Sequence, residues 1–237
     1  MRIAMWSGPR NLSTAMMYAF GARGDCAVVD EPFYAAYLAA TGLDHPMKQA
    51  ILAAQPTDPD QVVAQITGPI PQGAAHFYQK HMTHHMVPGV DRRWMRDMVN
   101  VFLIRHPARV IASYAAKRED PTLEDIGFAQ QAELFDTVNS WQGSPVVIDS
   151  TDIRRDPQTM LKRLCNAIGL PFTPRMLSWP RGGHPEDGAW APHWYGSVWN
   201  STGFAGAEGP LPHVPEHLQP VLDQAMRHYR RLRAVAL

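Results

Sequence analysis

The apolar positions of the chain fall into short runs separated by turn residues, and the clearest run is Val99–Ile104 (VNVFLI). A nearly continuous apolar stretch of this length predicts a parallel strand covered on both faces. Residues 2–6, which stop at Ser7-Gly8-Pro9, and residues 27–29, which stop at Asp30-Glu31-Pro32, predict two more strands. Residues 76–80 and 145–149 predict another two. Between these runs the period becomes helical. Residues 13–23 predict a helix closed by Gly21 and Gly24, and residues 107–117 a helix with proline in its first turn, where a missing N–H does no harm. Residues 122–139 predict a longer helix. Asp156-Pro157 opens one whose Met160, Leu161, Leu164, Cys165 and Ile168 line a single face, with Gly169 placed to cap it. Leu218, Val221, Leu222, Ala225, Met226, Tyr229 and Leu232 form the apolar face of a last helix, assigned to the core. Strands alternating with helices predict a three-layer α/β fold with a central, mostly parallel sheet flanked by helices.

Two segments depart from this alternation. Residues 33–75, a helical stretch broken by prolines at 46, 56, 59, 69 and 71, predict an irregular cap, within an irregular region that runs to residue 98. Residues 174–213 are dense in Trp, Gly, Pro and His without a period. They predict either a lid that closes over a ligand or an irregular segment pinned by tryptophans.

Composition narrows the function classes. Lys+Arg and Asp+Glu are both 22, so the formal charge is zero. That balance argues against a nucleic-acid coat or a membrane-surface protein, and any anion site has to be built from a few placed cations. Two isolated cysteines, Cys26 and Cys165, make neither a disulfide framework nor a zinc set. No run reaches the length of a membrane span, and the N-terminal MRIAMWSG has no signal-peptide core, so a cytoplasmic enzyme is expected. At 237 residues, one domain accounts for the whole chain.

Two motifs carry the chemistry. Trp6-Ser7-Gly8-Pro9-Arg10-Asn11-Leu12-Ser13-Thr14 joins the first strand to the first helix. Such a junction presents free backbone N–H groups and a positive dipole end, which suits a phosphate. Arg10 adds a bidentate cation and Ser13 and Thr14 add hydroxyl donors. The stretch does not fit G-x-x-x-x-G-K-[ST], because no Gly-Lys pair precedes the hydroxyls. In the second motif, Arg105 ends the best strand, Pro107 follows, and Ser113 lies eight positions beyond Arg105. If the helix packs on the sheet, the two would grip one phosphate. Read singly, each motif is also compatible with a plain turn, a solvated arginine and a neutral helical serine.

Together and in this order, the motifs resemble the PAPS-dependent sulfotransferase superfamily. Its first loop commonly reads Pro-Lys/Arg-Ser-Gly-Thr/Ser-Thr, and its second motif reads Arg-x-Pro followed by a serine at this spacing. Residues 147–153, Asp156-Pro157 and residues 164–170 are similar to its later strand and helix, so the likeness spans about residues 2–172. The resemblance implies a P-loop-type sulfotransferase domain over residues 1–237, with the 33–98 cap on the acceptor side. It implies transfer of a sulfuryl group from PAPS (3′-phosphoadenylyl sulfate) to a hydroxyl of a small acceptor, with no metal, no nucleic acid and no membrane partner. The loop Pro9, Arg10, Asn11, Leu12, Ser13 and Thr14 would hold the 5′-phosphosulfate, and Arg105 and Ser113 the 3′-phosphate. Arg181 and Gly183, in Arg181-Gly182-Gly183, would stand in for the basic tail loop that touches the 3′-phosphate in many members. Leu12 departs from a loop glycine, so the turn either avoids a left-handed conformation or bears strain. Ala15 departs from an aromatic that stacks on adenine in some members, which leaves adenine to the tryptophan-rich tail.

In-line transfer needs charge on the leaving oxygen, for which Arg10 is the candidate, and a base for the acceptor hydroxyl. Glu31, at the end of the second strand, is the first candidate base. Its alternative is helix capping by Asp30-Glu31-Pro32. Lys80-His81-Met82-Thr83-His84-His85 resembles the superfamily's Lys-x-His with the register displaced. It offers Lys80 to the transferring group and His81 or His84 as base, while His81 and His85, four apart, also have a helical metal-ligand spacing. Two other readings stay open: a P-loop nucleotide kinase-like phosphotransferase, which needs the missing Gly-Lys, and a non-catalytic nucleotide-binding protein of the same fold.

Overall fold

Five strands form one sheet: β1 (Arg2–Ser7), β2 (Cys26–Asp30), β3 (His76–Met82), β4 (Val99–Ile104) and β5 (Val146–Asp149). Their order is β2-β3-β1-β4-β5 and every pair is parallel. The computed structural model describes residues 1–116 and 120–237. The helices are α1 (Ser13–Gly21), α2 (Tyr34–Thr41), α3 (Lys48–Ala54), α4 (Pro59–Thr67), α5 (Pro107–Ala115) and α6 (Leu123–Ile126). They continue as α7 (Phe128–Gln142), α8 (Ser150–Arg155), α9 (Pro157–Ala167), α10 (Ala191–Trp194), α11 (Gly196–Trp199) and α12 (Gln219–Arg233). The helix expected over residues 107–117 is α5, and Lys117 lies outside the described residues.

Strand alternation divides the core into two layers. On β1, Ala4 and Trp6 join Phe102 and Ile104 of β4 beneath α5, α7 and α12. Ile3 and Met5 join Val101 and Leu103 beneath α1 and α9. Because both faces are covered, β1 and β4 are apolar at most positions, whereas β3 carries His76, Gln79, Lys80 and His81. A third, smaller cluster lies over the strand ends: Tyr34, Tyr37, Leu38 and Ile51 of the cap pack on Trp190, Ala191 and Tyr195 of the tail. The proline-rich cap is therefore three short helices, α2 to α4, and the tail is closed down on it.

The single helix expected over residues 122–139 is two. Gly127 takes a left-handed φ of 70°, ends α6 and begins α7. The break lets the chain approach the first loop. A Cβ on Gly127 would lie 2.7 Å from Thr83 Oγ1, and a Cβ on Gly8 would lie 2.4 Å from the carbonyl oxygen of Ile126. Gly8→Ala thus forces backbone apart at the mouth of the sheet. Its expected effect is a destabilisation of about 1–3 kcal/mol, read from the urea midpoint at unchanged slope.

Candidate functional site

At the carboxyl ends of β1, β3 and β4 lies a cavity of about 390 Å³. This is where ligands sit in open parallel α/β sheets, beside the point at which strand order reverses. One end is cationic. The loop after β1 turns through two non-glycine residues of positive φ, Arg10 at 61° and Leu12 at 74°. Left-handed geometry at Leu12 turns the chain into α1, whose first turn has no side-chain cap and no acidic residue. The loop accepts strain on the order of 1–2 kcal/mol per such residue to aim backbone N–H groups at the cavity. Asn11 anchors it from below, donating Nδ2 to the Leu103 carbonyl at 3.3 Å.

Arg10 Nε donates to Ser113 Oγ at 2.9 Å, which ties the first loop to α5. Arg105 Nη1 donates to the Arg10 carbonyl at 2.6 Å. Burial, and then the charge of Arg105, presses the Arg10 pKa downward, as expected of adjacent cations that share a site. Ser113 reaches this end because α5 packs back on the sheet through Val110, Ile111 and Tyr114.

The other end carries carboxylates. Asp30 and Lys80 are register partners on β2 and β3. Lys80, 1% exposed, donates Nζ to Asp30 Oδ1 at 2.8 Å, to Glu31 Oε1 at 2.5 Å and to Tyr195 Oη at 2.6 Å. Tyr195 in turn donates to Asp30 Oδ2 at 2.7 Å and accepts from Trp190 Nε1 at 2.9 Å. The Gly188 N–H also reaches Asp30 Oδ2, at 3.1 Å. Both Asp30 oxygens are thus engaged, whereas Glu31 lines the cavity and, among the described residues, no hydrogen bond engages its Oε2. Burial works against the Lys80 ammonium, but the charges of Asp30 and Glu31 outweigh it and its pKa is raised. Burial, aided by Asp30, also lifts the Glu31 carboxyl above the ordinary carboxylate value.

Of the residues singled out by sequence, Pro9, Arg10, Asn11, Leu12, Ser13, Thr14, Glu31, Lys80, His84, Arg105 and Ser113 all line this cavity. His81, Arg181 and Gly183 do not. Alternation along β3 puts Lys80 on the cavity side and His81 on the opposite face, stacked on Trp6 at 4.5 Å with Nε2 on Gln79 Oε1 at 3.1 Å. Burial pushes His81 down to about 3. His84 reaches the cavity and is likewise held at about 3, chiefly by burial. An imidazole so depressed is a weak base at neutral pH. Residues 80–85 are strand and a short 3₁₀ turn, not an α-helix, so the four-residue spacing of His81 and His85 makes no ligand pair. Among the described residues no group of three His, Cys, Asp or Glu side chains is arranged to hold a metal. Arg181 is exposed, in a turn held by the Gly182 N–H on the Trp199 carbonyl and folded about Asp187, which accepts from Tyr18 and Trp199.

Sequence reading missed Tyr195 and Arg154, which also line the cavity. Tyr195 stood in a recognised aromatic tail, but no local spacing connects it to a lysine 115 positions away.

A cationic strand–loop–helix cradle thus faces a buried carboxylate across one cavity at the strand ends of a parallel α/β sheet. The chain belongs to the sulfotransferase domain family, whose model matches residues 1–236. Its fold is similar to the sulfotransferase domain of the Synechococcus PCC 7002 olefin synthase, with a TM-score of 0.54, 18% identity and coverage of 97% of this chain and 94% of that one. It is also similar to the sulfotransferase domain of the curacin biosynthetic pathway, with a TM-score of 0.54, 17% identity and coverage of 94% and 96%. In sequence it is 34% identical over 233 residues to the Arabidopsis thaliana branched-chain-amino-acid aminotransferase-like protein 1. It is 33% identical over 231 residues to protein 2 of that name. The match takes in 98% of this chain but 41% of either plant protein. Among the described residues no helix is long and apolar enough to cross a membrane.

The ion cluster makes a stability prediction. Lys80→Met leaves two carboxylates buried without their cation, and unfolding free energy is expected to fall by about 3–5 kcal/mol in urea titration at neutral pH.

Proposed function

We propose that this protein transfers the sulfuryl group of PAPS to a hydroxyl of a small acceptor. The observation that carries the reading is the direct bond between the two motifs: Arg10 of the first loop and Ser113 of α5 share a hydrogen bond within one cationic cavity end. The carboxylate end then receives the acceptor, whose recognition falls to the cap and the tail. Glu31 is the base, because Asp30 is already engaged and His84 is too weakly basic.

The acceptor hydroxyl gives its proton to Glu31 Oε2 while its oxygen bonds to sulfur. The bond from sulfur to the phosphate oxygen breaks, and 3′,5′-ADP leaves with the electron pair. Arg10 and the N–H groups at the start of α1 stabilise charge on that oxygen. Lys80 holds the Glu31 carboxylate in place through Oε1. The kinase-like alternative lacks its Gly-Lys loop.

The plant relatives' names introduce a different chemistry, since an aminotransferase needs a lysine amine that can lose its proton and form an imine. Lys80, buried between two carboxylates that raise its pKa, is unsuited to that.

Calorimetric titration tests the donor site. Wild type is expected to bind 3′,5′-ADP more tightly than 5′-ADP or ATP–Mg²⁺, with Arg105→Ala abolishing the preference. Equal or tighter binding of ATP–Mg²⁺ sinks the sulfotransferase reading. The base is tested by pH. Deprotonating Glu31 creates the active form, so kcat/KM rises with pH, and because the Glu31 pKa is raised the rise is centred above the ordinary carboxylate range. Glu31→Gln is expected to remove that limb and lower kcat by about 10²- to 10⁴-fold.

A further inference from the structure

A third guanidinium reaches the cavity wall beside Arg10 and Arg105. It is that of Arg154, on α8 just beyond β5. Arg154 Nε donates to the Gly206 carbonyl at 3.0 Å and Nη1 to Glu208 Oε1 at 2.8 Å, and among the described residues its Nη2 makes no hydrogen bond. Glu208 is the hub of this arrangement. Its side chain is 2% exposed, and it also receives Arg105 Nη2 and, at 3.5 Å, Thr151 Oγ1, with Arg109 Nε 3.1 Å away. Arg109 Nη2 donates to the Gly209 carbonyl. These bonds staple residues 203–209 across the ends of β4 and β5, and Gly203, Phe204 and Ala205 of that strap form part of the cavity wall.

Position separates two roles for Glu208. A carboxylate that competed for the phosphate site would stand in the cavity. Glu208 does not line it, whereas Arg105 and Arg154, which it grips, do. Three guanidiniums share one carboxylate, and two of them, Arg105 and Arg154, face the cavity, so the cavity side keeps an excess of positive charge. Arginine forks held in fixed orientation suit a phosphate dianion better than mobile surface cations. Arg181, from which the tail's contribution was expected, is exposed and outside the cavity.

We propose that Arg154, oriented by Glu208, is a further binding residue for the donor's 3′-phosphate and supplies the cation that a basic tail loop would otherwise bring. The inference rests on the donor reading above. Arg154 is the binding group and Glu208 a positioning residue that acts through it and through Arg105.

The experiment compares 3′,5′-ADP with 5′-ADP by calorimetry on wild type, Arg154→Gln, Arg154→Lys, Glu208→Gln and Arg181→Gln. Arg154→Gln is expected to weaken 3′,5′-ADP about tenfold or more and to leave 5′-ADP unchanged, the loss of one charge-assisted hydrogen bond. Arg154→Lys, which keeps the charge, is expected to retain part of the discrimination and serves if the glutamine variant does not fold. Glu208→Gln adds net positive charge, yet is expected to weaken 3′,5′-ADP selectively because the forks lose their anchor. Tighter binding in that variant overturns the positioning role. Equal losses for both nucleotides, no loss in Arg154→Gln, or a selective loss in Arg181→Gln instead overturns the assignment of Arg154. A wild type that binds neither nucleotide overturns the donor reading itself, and this inference falls with it.

Discussion

The structure turns on one buried ammonium. Lys80 joins β2 to β3 through Asp30, carries the second carboxylate of Glu31, and reaches the tail through Tyr195. Desolvating these charges is costly, and the cost is offset only if each hydrogen bond is made. The tail must therefore return over the strand ends for the β2–β3 edge to be satisfied. Trp190 and Tyr195 then close the third hydrophobic cluster on α2 and α3. Cap and tail, the two irregular segments, are held by the same lysine that fixes Glu31.

Charge in the cavity is segregated along the sheet. The strands on one side of β1 bring Asp30, Glu31 and Lys80, and β4 and β5 on the other bring Arg105 and, through α8, Arg154. Arg10 sits between, on the loop of the central strand. Cationic and anionic side chains thus line different parts of one cavity, and this separation would limit repulsion between an anion held by the arginines and the Glu31 carboxylate. The topology does this work: a parallel sheet with β1 in the middle delivers both sets of strand ends to one rim.

Much of this was legible in the chain. Val99–Ile104, the Arg10 loop and the Arg105–Ser113 spacing pointed to the sheet and to residues that the fold brings to one cavity, because each depends on residues close in sequence. The helix pair α6 and α7 was read as one, since the break at Gly127 answers to tertiary contact with Gly8 and Thr83 rather than to local propensity. Two-residue alternation decides which of Lys80 and His81 faces the cavity, and the strand had been read as ending at Lys80, whereas β3 continues to Met82. Arg154 and Glu208 carried no signal at all. Their roles arise from an ion cluster that joins α8 to the strap more than fifty positions on.

The left-handed Leu12 also bears on how the cradle meets its ligand. A glycine there would sample both signs of φ in the unfolded chain and in any loosened loop, and fixing it would cost conformational entropy at the moment of ordering. Leucine raises the energy of the folded turn but narrows the alternatives, and Asn11 below and the partly buried Leu12 side chain hold it there. The cradle is consequently preformed rather than assembled around the anion. An anion that binds there would meet it by diffusion and electrostatic steering rather than by loop closure, and would gain the affinity of preorganisation.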